Sequence, residues 1–268
     1  MLLQVALLAG LIVQSAKPAT GIPPRPAPTA PAVAAPAALA EVPFGDGETS
    51  RYDVSWSAMT AGQATLSVRA TRGPSGIETW NARADAMPSS MLSALYTLRY
   101  HAESTFDART LLPRQSLIDG TEGQRRRIRR TTFDRSARTA RYSVTIGDTV
   151  SRTIDIDAQS HDVLSVVYKI RALPLASGFR ARIPVCDNGH RYVFEIAVGE
   201  KTILKTPLGD LPAWKITPRV TGEDGKTEPS QKTLWLSADA RRLLLRVEST
   251  LAVGKVTLAL AAYTPGRR

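Results

Sequence analysis

From Arg51 to Tyr263 one pattern recurs: an apolar or small residue alternates with a polar one over short runs, and each run closes on turn residues. Period-two alternation puts one residue class on each side of a pleated strand, so this stretch reads as strands with one face buried and the other wet. Tyr52, Val54 and Trp56 share one face, and Ala64, Leu66 and Val68 share another beyond a turn at Ala61-Gly62, which predicts a hairpin. Further strands are expected at 77–86, 99–106, 113–118, 124–133, 138–146 and 150–156, then at 179–185, 191–198, 201–207, 213–218, 233–236, 243–251 and 255–262. Dipeptides such as Asp119-Gly120 and Gly147-Asp148 are read as turns of this meander.

Two segments break the alternation. Ser89-Ser90 supplies a helix cap for Met91 to Tyr96, and 161–171 carries Leu164, Val167, Tyr168 and Arg171 at helical spacing until Pro174 forbids continuation. Many consecutive strands with two short helices predict a mainly β fold: a large curled antiparallel sheet, a half-barrel or incomplete barrel, with the helices on its concave side. No second linker interrupts the pattern, so 44–264 is expected to be a single β-rich domain. An outer-membrane barrel is not expected, because this Arg-rich domain lacks repeated apolar lipid-facing strands with aromatic girdles.

Ahead of this domain, Leu2 to Val13 is an apolar run followed by the small residues Ser15 and Ala16, so 1–16 reads as a secretory signal peptide. Residues 17–43 form a Pro/Ala-rich linker with no periodic apolar face, expected to be disordered. In a polyproline II conformation it could hold the domain up to ~80 Å from a membrane if the signal stays uncleaved as an anchor. The expected location is the periplasm, with an inner-membrane tether in that case.

Net charge is +11, and only eight of the 35 basic residues are lysine. Outside the cytoplasm such a surface meets anionic lipid headgroups or wall polymers, so an anionic membrane surface is an expected partner and nucleic acid is not. The sole cysteine, Cys186, excludes an intramolecular disulfide and leaves no acylation site near the start.

Several phrases occur together in order: Phe44-Gly45-Asp46-Gly47-Glu48, Tyr52-Asp53-Val54-Ser55-Trp56, Ala61-Gly62-Gln63-Ala64, and Asp162-Val163-Leu164-Ser165-Val166-Val167-Tyr168-Lys169-Ile170-Arg171. Thr206-Pro207-Leu208-Gly209 and Leu234-Trp235-Leu236-Ser237, with Asp239 and Arg241-Arg242, follow. Together, from Phe44 to Tyr263, they resemble the bacterial family called domain of unknown function 3108. The departure is Leu244, where a proline is expected after the basic pair. The resemblance implies an exported β-rich protein and brings no catalytic residues. By fold analogy it is similar to periplasmic lipoprotein carriers, whose incomplete barrels hold acyl chains against inserted helices.

Candidate chemistry is sparse. Cys186 and His190 flank an Asp187-Asn188-Gly189 turn that could bring a base to the thiol, although the plainer reading is a hairpin with a small apolar Cys. His101 with Glu103, and Asp155 with Asp157, share strand faces, yet neither pair has the company a metal site or catalytic dyad needs. Nucleophile-elbow and phosphate-loop motifs are absent, so no enzyme activity, metal or cofactor is expected. The strongest local feature is Arg125-Arg126-Arg127-Ile128-Arg129-Arg130, read either as a charged protective edge or as an anionic docking strip through Arg125, Arg127 and Arg129. The leading functional expectation is a non-enzymatic binder of an apolar or lipid-like ligand, lined by Met91, Leu95, Leu164, Val167 and Tyr168 beneath the helices. The alternative is an envelope interaction scaffold that recognises a protein or anionic polymer through its basic strip.

Overall fold

The computed structural model describes residues 41–57, 59–74, 76–95, 97–228, 231–251 and 254–267. The expected signal peptide and all but the last three residues of the linker lie outside the described residues. In chain order the strands are β1 (Glu48–Trp56), β2 (Met59–Gly73), β3 (Gly76–Pro88), β4 (Leu98–Asp107), β5 (Pro113–Glu122), β6 (Arg125–Asp134), β7 (Thr139–Ile146) and β8 (Asp148–Asp155). After a long connection come β9 (Arg180–Asp187), β10 (His190–Thr206), β11 (Gly209–Gly222), β12 (Gln231–Ser237), β13 (Leu244–Leu251) and β14 (Gly254–Thr264). Helix α1 (Ser90–Leu95) lies between β3 and β4, and α2 (Ser165–Arg171) between β8 and β9.

All fourteen strands form one antiparallel sheet in the order β8-β7-β6-β5-β4-β3-β2-β1-β14-β13-β12-β11-β10-β9. Two meanders therefore meet at its centre, where β1 pairs with β14 from Thr49↔Thr264 to Trp56↔Val256. Strands β8 and β9 are the two edges, so the curl is not closed into a barrel. His161 covers part of one edge: its N–H donates to the Pro184 carbonyl and its carbonyl accepts from Cys186 N–H, both at 2.8 Å.

A seven-residue helix does not hold in water by its own propensity. Helix α2 persists because Val166, Val167, Tyr168 and Ile170 are buried inside the curl, and each large apolar side chain so buried contributes about 1.5–3 kcal/mol. The Tyr168 ring sits 4.9 Å from that of Phe44 and 5.4 Å from that of Phe106, while Phe44 meets Trp80 edge-on at 5.0 Å. The Asp162 carboxylate accepts from Leu164 N–H at 2.9 Å and Ser165 N–H at 2.8 Å, and Ser165 Oγ accepts from Asp162 N–H at 3.0 Å. This reciprocal cap begins the helix, so the expected start at 161 is too early.

Arg171, at the other end of α2, bonds Glu48 at 2.6 and 3.1 Å and donates to the carbonyls of Arg241 and Arg242. Three of the six phrases set out above thus converge on one clasp that ties α2 to β1 and to the β12–β13 turn. Three expectations need correction. Residues 191–198 and 201–207 form one long strand, β10, because a bulge between Val198 and Lys201 restores the pairing with β11. Asp119-Gly120 lies inside β5, and the turn falls at Gly123, whose φ is 59°. Strand β6 has β5 and β7 on either side, so its arginines do not guard an edge.

Candidate functional site

Residues paired directly across strands share a face. One row runs Ala84↔Ala102↔Ile118↔Arg129↔Val144↔Val150 from β3 to β8. A second runs Ala82↔Ser104↔Ser116↔Thr131↔Tyr142↔Arg152, and a third runs Ala86↔Tyr100↔Gly120↔Arg127. Ala82, Ala84, Ala86 and Ala102 belong to the main core, so all three rows line the concave side. Along the first row the environment changes from core at Ala102 (1 % exposed) to solvent at Val150 (67 %), with Arg129 at the crossing. The concave side therefore opens toward the β6–β8 end as a mouth that is basic and apolar together.

The expected docking triad faces this mouth. Alternation along β6 places Arg125, Arg127 and Arg129 on the face of buried Thr131 and Phe133, while Arg126 and Arg130 point outward. Arg126 is engaged there by Asp119, with its Nε 3.0 Å from the carboxylate. Arg127 and Arg129 are half-buried. The phenol OH of Tyr100, a residue 8 % exposed, has no hydrogen-bond partner, nor does Arg127 Nε. Burial, together with nearby Asp187 and against Arg129, raises the Tyr100 pKa, so its OH stays a donor.

Deeper in, two carboxyls are buried. Ser104 Oγ donates to Asp162 at 2.5 Å, which joins β4 to the cap of α2; burial raises the Asp162 pKa against these bonds. The Asp187 carboxyl is pushed up to about 6, first by burial and next by the Asp162 charge, with Arg129 opposing. At the open seam, Tyr142 OH donates to Asn188 Oδ1 at 3.1 Å and the Arg152 guanidinium donates to the Gly189 carbonyl. Outside this seam lies a polar cleft of 210 Å³ lined by Arg152, Asp155, His190, Arg191 and Glu223 among others.

The residues expected to line an apolar site are dispersed by burial. Leu164, Val167 and Tyr168 lie within the packed core, and Met91 is 56 % exposed on α1. Leu95 ends α1, and its side chain is outside the described set. Cys186 and His190 occupy opposite faces, since Cys186 pairs with Arg191 and His190 with Asp187. The thiol is fully buried beside Phe133, Ala140 and Ile156, and burial pushes its pKa up to about 12. His101 sits in a surface ladder, 2.8 Å from Asp85 and 3.1 Å from Glu103. Asp157 caps the turn at Gln159, and among the described residues no three potential metal ligands cluster. Sequence reasoning missed Tyr100, Ser104, Asp162 and Asp187 as one polar interior. Tyr100, Ser104 and Asp187 signal it in advance only as polar residues at inward strand parity, and Asp162 lies on no strand.

Residues 51–261 match the family model described as "Protein of unknown function (DUF3108)". No curated protein matches the chain. Among solved structures, the chain is similar to the β-barrel-like protein of domain of unknown function DUF1849 from Brucella abortus. That similarity has a TM-score of 0.60 and 6 % identity, and covers 85 % of this chain and 100 % of that one. A presumed exported protein with a YmcC-like fold from Bacteroides fragilis aligns over 85 % of this chain and 99 % of its own, with TM-score 0.34 and 12 % identity. A presumed lipoprotein from Parabacteroides distasonis aligns over 83 % and 98 %, with TM-score 0.35 and 9 % identity. The first similarity shows a shared β-barrel-like fold.

Proposed function

Because this chain belongs to the DUF3108 family of unknown function, we propose from its geometry that it is an exported, non-enzymatic envelope protein that holds an anionic, lipid-like amphiphile at the mouth of its curled sheet. The observation that carries this reading is the concave row in which Arg129 stands between Ile118 and Val144, with Val150 exposed beyond it. A headgroup phosphate or carboxylate would accept from the guanidinium groups of Arg127 and Arg129 and from the unpartnered Tyr100 OH. An apolar chain would cover Val144 and Val150. Support for a non-enzymatic role comes from the side chains that could act as nucleophiles. Ser104 and Ser165 are engaged in the cap of α2, and Cys186 is buried beside Phe133, Ala140 and Ile156 on the face opposite His190. The Pro/Ala segment supplies the reach of an envelope protein.

Native mass spectrometry of protein purified from cell envelopes tests this. It should reveal a copurified acyl species with an acidic headgroup. Arg127→Gln with Arg129→Gln should weaken retention about a hundredfold, since each removes a charge-assisted bond. Protein that is consistently empty, with crosslinks to a neighbouring protein through the same arginines, would replace this reading with the interaction scaffold.

A further inference from the structure

Among the described residues seven large apolar side chains are exposed, and five of them occupy one end of the sheet: Met59, Met87, Met91, Ile146 and Val150. The register places them together. Met59 opens β2 opposite Trp56, Gly62 pairs with Pro88 beside Met87, and Met91 follows on α1. The same end continues through Leu98↔Glu122 and Glu122↔Arg125 to Ile146↔Asp148. These residues form one arc along the tips of β1 to β8. The other two, Ile203 and Leu208, sit on the β10–β11 hairpin at the opposite end.

The arc also carries exposed Arg99 and Arg125 and half-buried Arg127. Three methionines on a surface are costly unless something apolar covers them, and their flexible thioethers suit a covering layer without fixed shape. Guanidinium groups interleaved with them match a layer that is negative at its surface. The chain leading back toward the Pro/Ala segment enters at the far end, where Asp46 pairs with Arg267 and Thr49 with Thr264. The arc thus faces away from any attachment made through that segment.

We infer that this arc is a membrane-docking rim: Met59, Met87, Met91, Ile146 and Val150 insert into the interfacial layer of an anionic phospholipid bilayer, with Arg99, Arg125 and Arg127 at headgroup level. At Ile146 and Val150 the rim meets the β6–β8 side at which the mouth opens, so it would present the mouth to lipid. The rim's insertion does not depend on whether the mouth retains a ligand.

The test reads position, because the apolar run near the N-terminus can hold vesicles by itself. In the full chain, Met87→Cys is labelled with an environment-sensitive fluorophore, and Ile203→Cys is the control at the opposite end. Buried Cys186 stays unlabelled in the native protein. On vesicles of phosphatidylglycerol and phosphatidylcholine the label at 87 should shift to the blue and the label at 203 should not. With the fluorophore moved to Met59→Cys, the combined Met87→Asp, Met91→Asp and Ile146→Asp variant should lose most of the blue shift while its thermal unfolding is unchanged. Equal behaviour of the two labels, or an unshifted label at 87, overturns the inference. So does light scattering that shows a second copy of the chain burying the rim. A ligand lost from Arg129→Gln while the label at 87 still shifts supports the rim. Loss of that shift with ligand retained defeats the rim and leaves the mouth standing.

Discussion

Arg171→Met is the substitution whose cost the structure defines best. The native guanidinium is 3 % exposed and meets a Glu48 carboxylate that is 4 % exposed. It makes bonds of 2.6 and 3.1 Å to that carboxylate, and 3.0 and 3.1 Å to the Arg242 and Arg241 carbonyls. Methionine fills much of the volume but strands Glu48, with Tyr263 OH at 3.2 Å as its remaining side-chain donor. Removing one partner of a buried pair costs about 3–5 kcal/mol. For a domain of this size each kcal/mol lowers the melting temperature by roughly 2–4 °C, so a cost near 4 kcal/mol implies a fall of roughly 8–16 °C. Urea and thermal unfolding followed by circular dichroism measure it. Glu48→Leu with Arg171→Met removes the stranded charge, and a double-mutant cycle should return a coupling of about 2 kcal/mol or more. A single variant within about 1 kcal/mol of the native protein would refute the idea that this clasp holds α2 in the curl.

Three other outcomes are expected. Asp187 has a folded pKa of about 6, above the usual ~3.9 of the unfolded chain, so the native state binds the proton more tightly. Its contribution to stability is then fully present below pH ~4 and falls by about 3 kcal/mol as pH rises through 6, and Asp187→Asn should lack that component in unfolding curves measured across this range. Cys186 should resist maleimide until the protein unfolds, and Cys186→Ser should cost about 1–2 kcal/mol by burying a hydroxyl among Phe133, Ala140 and Ile156. Gly62→Ala would place a methyl 2.1 Å from the Met87 carbonyl oxygen, so it should destabilise by more than about 2 kcal/mol in the same assay, and a neutral effect would contradict the close β2–β3 approach.

The strand ladder was legible because alternation is a local property: Tyr52 and Val54 predict their inward face without knowledge of any partner. The alternation splits β10 in two because Gly199-Glu200 interrupts it, while the bulge that repairs it is visible only against β11. The inward parity of Arg127 and Arg129 could be read from Thr131 and Phe133. That two more strands lie outside β6 could not, since edge status depends on the whole sheet. The polar interior was illegible for the same reason: Ser104 and Asp162 are 58 residues apart and meet only when α2 folds into the curl. Leu164 ahead of α2, with Val167 and Tyr168 on it, reads as a ligand lining because apolar helical spacing does not distinguish a packed core from a vacancy. The clasp around Arg171, by contrast, was present in the sequence as shared phrases whose purpose only the contacts reveal.

The pairing of β1 with β14 has a consequence for how the molecule is made. Each meander can assemble hairpin by hairpin from neighbours in the chain, yet the central suture joins segments at the two extremes of the domain. Because synthesis runs from the N-terminus, β1 waits with one bare side until the last strand emerges. Local ladders form fast and the distant one slowly, so the half-finished molecule carries a temporary sticky flank at its middle. Premature termination before Gly254 would make that flank permanent, leaving two fans with nothing to join them.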